Sequence, residues 1–140
     1  MSKAAVVFWS GTGNTEAMAN AVLDGIKEAG AEGALFTASE FNADMMDQYD
    51  AIAFGCPSMG VEQLEDSEFE PMFQSCRAKL SGKKIALFGS YGWGDGEWMR
   101  NWQETCQNDG AVMACEFVIC NDAPDDGATA ACKALGKALV

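Results

Sequence analysis

Short apolar runs alternate along the chain with segments whose apolar positions recur every three or four residues. The runs Ala4 to Trp9, Gly33 to Phe36, Ala51 to Gly55, Lys84 to Ser90 and Val112 to Ile119 read as five strands. Between and after them, four sets recur at helical spacing: Ala19, Val22, Leu23 and Ile26; Phe69, Met72, Phe73, Cys76 and Leu80; Met99, Trp102 and Cys106; Ala128, Ala131, Cys132, Leu135 and Leu139. Gly30 and Gly110 stand where helix C-caps are expected, and Ser67 with Glu70 has the spacing of a capping box. Continuous apolar runs such as Ile85-Ala86-Leu87-Phe88 suit strands covered on both faces. The expectation is a doubly wound α/β domain, a five-stranded parallel sheet with helices on both faces, filling residues 1–140 without a linker or repeat.

In such folds ligands bind beyond the carboxyl ends of the strands. Three unusual loops lie there. After the first strand, Trp9-Ser10-Gly11-Thr12-Gly13-Asn14-Thr15 runs into the first helix. Backbone N–H groups of such a loop converge where the positive end of the helix dipole favours an anion. Hydroxyls and amides of Ser10, Thr12, Asn14 and Thr15 add donors, yet the loop holds neither Lys nor Arg. The lysine of a nucleoside-triphosphate loop is missing, as is the third glycine of a dinucleotide loop, Glu16 following Gly11-Thr12-Gly13 instead. A terminal phosphate monoester held by neutral donors fits better than either.

The second loop is Gly55-Cys56-Pro57-Ser58-Met59-Gly60-Val61-Glu62, and the third is Gly89-Ser90-Tyr91-Gly92-Trp93-Gly94-Asp95-Gly96. With the first, they resemble in order, over essentially the whole chain, the flavodoxins, in particular the short-chain kind. The resemblance implies strand order 2-1-3-4-5 and bound flavin mononucleotide (FMN). Its phosphate would be held by Ser10, Gly11, Thr12, Gly13, Asn14 and Thr15, with Ser90 as a further donor. Its ring would lie between Pro57, Ser58, Met59, Gly60, Val61 and Glu62 on one side and Tyr91, Gly92, Trp93 and Gly94 on the other. Asn121, beyond the fifth strand, completes the cofactor set. Glu62 would accept a hydrogen bond from flavin N3. Pro57 stands where relatives often carry a hydroxyl, and Val61 where they often carry Asp or Ser.

Residue chemistry agrees with these roles. Trp93, flanked by glycines, has few neighbours able to bury it, so a stacking platform explains a large aromatic there. Met59 offers a polarizable thioether to the inner ring face, whereas Met18, Met72 and Met113 read as core. Tyr91 also suits packing within its own loop. Trp9 falls near the phosphate or ribityl chain, and Trp98 and Trp102 support the third loop from behind. Gly60 permits φ > 0 at the second position of a turn and Val61 resists it at the third, which favours type II′. The resemblance makes that turn the redox switch, the glycine carbonyl turning to accept the N5–H of a neutral semiquinone. Val61 thus bears on the first one-electron potential.

Charge and cysteine content narrow the function. Nine basic residues against 21 acidic ones give a net charge of −12, which excludes a general nucleic-acid binder. Carboxylates gather in the loops: Glu62, Glu65, Asp66, Glu68 and Glu70 after the second, Asp95 and Glu97 in and after the third, Asp122, Asp125 and Asp126 in the last. One carboxylate ~10 Å from the ring raises the energy of an added negative charge by about 0.4 to 1.7 kcal/mol, roughly 20 to 70 mV. The hydroquinone would therefore be strongly reducing, and basic faces of partners would be steered to the flavin edge. Solubility alone is the simpler reading of the same acidity.

The six cysteines form no Cys-x-x-Cys, and the start Met1-Ser2-Lys3 leads directly into a strand, so reduced thiols and a cytoplasmic protein are expected. No apolar run approaches membrane-spanning length. With no histidine, and no recognisable metal-ligand spacing, the chemistry must be the cofactor's own. Cys56 has no base beside it and lacks the Cys-x5-Arg of a phosphatase.

The expectation is a monomeric, low-potential one-electron carrier, not an enzyme with substrate turnover. It would pass electrons between redox proteins such as flavodoxin/ferredoxin reductases and ferredoxin-dependent oxidoreductases. An FMN quinone reductase of related fold would need an added nicotinamide or quinone site. A phosphorylatable receiver would need acidic residues where Trp9-Ser10 and Gly55-Cys56 stand. A dedicated activator of one enzyme is a narrower form of the carrier.

Overall fold

The computed structural model describes residues 2–59 and 63–140. Strands β1 (Lys3–Phe8), β2 (Glu32–Thr37), β3 (Ala51–Gly55), β4 (Lys84–Tyr91), β5 (Val112–Met113) and β6 (Val118–Asn121) form one parallel sheet. Helices α1 (Asn14–Glu28), α2 (Phe69–Cys76), α3 (Glu97–Asn108) and α4 (Asp126–Leu139) cover it. The order is β2-β1-β3-β4-β5, with β6 also beside β4.

The two-residue period of the strands divides the interior into two cores. Ala4, Val6 and Phe8 of β1, Ala51 and Ala53 of β3, and Ala86 and Phe88 of β4 face α1 and α4. Ala5, Val7, Ile52, Phe54, Ile85 and Leu87 face α2 and α3. Edge-on aromatic contacts fill the second core: Phe54 meets Phe73 at 5.3 Å between centroids, and Phe69 meets Trp102 at 5.4 Å. The first core is shallower, with alanines where the other has isoleucines and phenylalanines, and α1 and α4 come close. A Cβ on Gly25 would stand 2.1 Å from the Lys133 carbonyl oxygen, and one on Gly136 would stand 2.2 Å from that of Val22.

Three details depart from the sequence expectation. The fifth strand is broken, so the sheet has six strands rather than five. Ile85 pairs with Met113 and Phe88 with Val118, so residues 114–117 lie opposite Ala86 and Leu87 alone, an excess of two. An even excess preserves the side-chain alternation, and Met113 still joins the core of Ile85 while Val118 joins that of Phe88. The stretch between β2 and β3, given no structure above, holds 3-10 turns at Ala38–Glu40 and Ala43–Gln48 that bury Ala38 and Met46. The Ser67–Glu70 capping box does not form; the carboxylate that meets the start of α2 is that of Glu65. Gly30 and Gly110 do close α1 and α3 in left-handed conformations, at φ 84° and 88°.

Candidate functional site

The loops after β1, β3 and β4 meet at the carboxyl end of the sheet around a cleft of about 230 Å³. Gly13, at φ 96°, lets the chain leave β1 and enter α1 without a side-chain cap. Within the first loop the Gly13 N–H donates to Ser10 Oγ at 3.0 Å. Among the described residues, the N–H groups of Gly11, Thr12, Asn14 and Thr15 have no acceptor, so they remain for an anion at the positive end of α1. No lysine or arginine lines the cleft.

Beneath this loop Thr15 and Ser90 are buried at 1% and 5% exposure, their hydroxyls 3.1 Å apart. The pair ties α1 to β4, so Thr15 and Ser90 form the floor while the backbone forms the cradle. Ser58 is held by its N–H, which donates to the Ser90 carbonyl at 3.0 Å. Its buried Oγ has no partner among the described residues, a property shared only with Trp102 Nε1. A polar ligand in the cleft is the natural partner for such an orphaned hydroxyl.

Exposed apolar side chains stand beside the free N–H groups. Among the described residues only Met59, Trp93 and Val112 are large, apolar and exposed, and the first two belong to the loops flanking the cleft. Met59 lines the cleft with Pro57, Tyr91 and Gly92; Trp93 and Gly94 stand outside its lining, with Trp93 59% exposed. Tyr91 tilts against the buried Trp98 at 5.5 Å, and Trp98 Nε1 donates to the Cys56 carbonyl at 3.2 Å. Trp98 thus supports both ring loops. Arg100 holds the third loop by donating to the Asp95 carbonyl at 2.9 Å and to its carboxylate at 3.0 Å.

Asn121 lies outside the cleft lining, its Nδ2 donating to the Tyr91 carbonyl at 3.3 Å. Its neighbour Asp122 takes the place, at φ 58° and with its N–H on the same carbonyl at 2.8 Å. An aspartate in a loop after a strand, able to adopt left-handed backbone, was the signal for it. Trp9 also lines the cleft, and its Nε1 donates to Glu68 at 3.3 Å. Gly60, Val61 and Glu62, with the turn and the N3 contact assigned to them, lie outside the described residues.

Burial pushes the Cys56 thiol far above its usual range, and the Glu65 N–H donated to it only partly offsets that. Burial of this kind suits a structural thiol better than a nucleophile. No group of residues suited to hold a metal ion occurs among those described, and no described helix is long and apolar enough to cross a membrane.

Free backbone donors at the start of a helix, beside exposed apolar side chains at the carboxyl end of a doubly wound sheet, mark an α/β protein with an anion-accepting mouth. Known proteins name the family. The flavodoxin family model matches residues 6–135. A flavodoxin of Megasphaera elsdenii is 47% identical over 133 residues, covering 95% of each chain. One of Clostridium beijerinckii is 45% identical over 134 residues, covering 96% of each. The solution structure of two-electron reduced Megasphaera elsdenii flavodoxin superimposes with a TM-score of 0.89 at 46% identity, covering 97% of each chain. An archaeal flavodoxin gives a TM-score of 0.85 at 28% identity, covering 98% of this chain and 95% of its own.

The chain belongs to the flavodoxin family. Its cofactor is FMN, and it is an electron-transfer protein rather than an enzyme that turns over a substrate.

Proposed function

We propose that the FMN phosphate rests on the free N–H groups of the Ser10–Thr15 loop, with the flavin ring between Met59 and Trp93. The observation that carries this reading is the cradle itself: four unpaired backbone donors at the start of α1 with no cation in the cleft. Ser58 Oγ supplies a further donor, Thr15 and Ser90 brace the floor, and Glu62 is assigned to flavin N3. When bound, FMN supplies one-electron transfer; the protein holds the ring and sets its electrostatic surroundings. Tyr91, Gly92 and Gly94 belong to the loop on the Trp93 side of the ring, and Asn121 braces that loop by donating to the Tyr91 carbonyl.

The protein acts as a monomeric cytoplasmic carrier, docking through its acidic rim on basic faces of redox partners such as flavodoxin/ferredoxin reductases and ferredoxin-dependent oxidoreductases. Such encounters are small and salt-sensitive. A reductive titration of the reconstituted protein, with the released flavin identified by mass, tests the site. One FMN per chain, lost when Gly11 or Gly13 is replaced by valine, is the expected result. Full retention of FMN by both variants overturns the assignment of the phosphate to this loop.

The acidic rim is not uniform. Asp95 is paired with Arg100, 3.0 Å between charged atoms, so together they present little net charge to the ring. Charges add, however, and removing either partner exposes the other. Asp66→Asn, Asp95→Asn and Asp126→Asn are each expected to raise the second one-electron potential, and Arg100→Gln to lower it, by roughly 20 to 70 mV at ~10 Å. Potentiometry at low salt checks the signs. Unchanged potentials in all four variants would reduce the rim to a solubility feature.

A further inference from the structure

We infer that Glu65 is a positioning residue for the cofactor: its carboxylate and backbone fasten the segment between β3 and α2, whose Met59 forms one wall of the cleft. This rests on the ring site proposed above. Every polar group of Glu65 is engaged. Its N–H donates to Cys56 Sγ at 3.4 Å, at the end of β3, and its carbonyl accepts the Glu70 N–H at 2.9 Å, inside α2. One carboxylate oxygen accepts from the N–H groups of Glu68 and Phe69 at 2.7 and 2.9 Å. The other accepts from the Ser67 N–H at 2.8 Å and from the Ser67 hydroxyl.

An ordinary helix cap does not need this burial. Caps are short polar side chains at the helix boundary, and Ser67 stands close enough to serve. Glu65 is instead 4% exposed, in an arrangement that links three parts of the site. Upstream, Met59 and Gln63 exchange two backbone hydrogen bonds, at 2.7 and 2.8 Å, which bring the ends of the ring loop together directly before Glu65. Downstream, Glu68, whose N–H the carboxylate holds, accepts Trp9 Nε1 from the phosphate loop. Below, Cys56 receives the Glu65 N–H while its own carbonyl receives Trp98 Nε1. Glu65, Met59 and Trp9 also line one hollow of about 180 Å³, with Trp9 and Met59 shared by the main cleft. Loosening Glu65 therefore loosens the wall on which the ring lies.

The test compares Glu65→Gln, Glu65→Asp and Ser67→Ala with wild type by the rate of FMN release and by the first one-electron potential. Glutamine removes the charge and sets an amide N–H against the backbone donors. Aspartate keeps the charge but is too short to span both β3 and α2. Both are expected to release FMN at least tenfold faster and to shift the first potential by about 59 mV or more, the equivalent of tenfold. Ser67→Ala, which removes one donor of four, shifts both in the same direction by less. Faster release in Glu65→Gln alone would make the residue a charge and not a positioning group, and overturn the inference. So would a lowered melting temperature with release and potential unchanged. If neither Glu65 variant folds, wild-type release and potential in Ser67→Ala decide against it. Failure of the wild type to bind FMN would instead overturn the ring site.

Discussion

Gly136→Ala is expected to lower the unfolding free energy of the flavin-free protein by about 3 kcal/mol, although it adds a single methyl group and replaces the poorest helix former but proline with the best. Helix propensity alone argues for about 1 kcal/mol of stabilisation. Geometry reverses the sign. The added Cβ would stand 2.2 Å from the Val22 carbonyl oxygen and 3.0 Å from the Ile26 nitrogen, atoms of the α1 backbone that no rotamer change can withdraw. The helices must separate, and the alanine-rich core beneath them loses packing over their whole crossing. Gly25→Ala meets the Lys133 carbonyl oxygen of α4 at 2.1 Å and should behave alike. Once one variant has moved the helices apart the second has less to displace, so the double variant should lose clearly less than the sum. Urea unfolding of the three variants measures this. Additive or stabilising effects would show that the crossing relaxes freely.

The second large effect concerns acid. Burial pushes the Glu65 carboxyl up, but hydrogen bonds from Ser67, Phe69 and Glu68 outweigh it and hold the group at about 2. A carboxyl lowered on folding stabilises the protein above its unfolded pKa, and this stability disappears as pH falls through the folded value. The difference between about 4.5 and about 2 corresponds to about 3 kcal/mol. Wild type should therefore exceed Glu65→Gln by about that amount near pH 7, with the gap closing between pH 4.5 and 2. The remaining carboxylates are common to both proteins and cancel in the comparison. A gap independent of pH would mean that shape, not charge, is what glutamine loses.

The fold and the glycine turn that opens α1 were legible because each rests on a local signal. Continuous apolar strands, helical spacing and a Gly-Thr-Gly turn entering a helix are written in adjacent residues. The capping of α2 was misread for the opposite reason. Ser67 and Glu70 have the right spacing, but Glu65, whose N–H is on Cys56, takes the Ser67 N–H with its carboxylate and the Glu70 N–H with its carbonyl, a competition the capping-box spacing does not record. The break between β5 and β6 was invisible because an even excess of residues leaves the apolar alternation intact. The sequence pointed to Asn121 beyond the last strand, whereas Asp122, at φ 58°, is the residue of that stretch that lines the cleft. Arg100 was missed because its partner Asp95 lies in another element and was read only as rim charge.

The absence of cations from the proposed phosphate cradle makes this an unusual anion site, for the protein around it carries a net charge of −12 and the ligand is itself an anion. Most phosphate sites lose affinity as salt rises, because dissolved ions compete with the lysines and arginines that hold the ligand. In the proposed site backbone dipoles hold it at short range, where screening is weak, while the repulsion acts over tens of ångströms, where screening is strong. Added salt removes the second without touching the first, so the apoprotein is expected to take up its cofactor more readily in concentrated salt than in a dilute buffer.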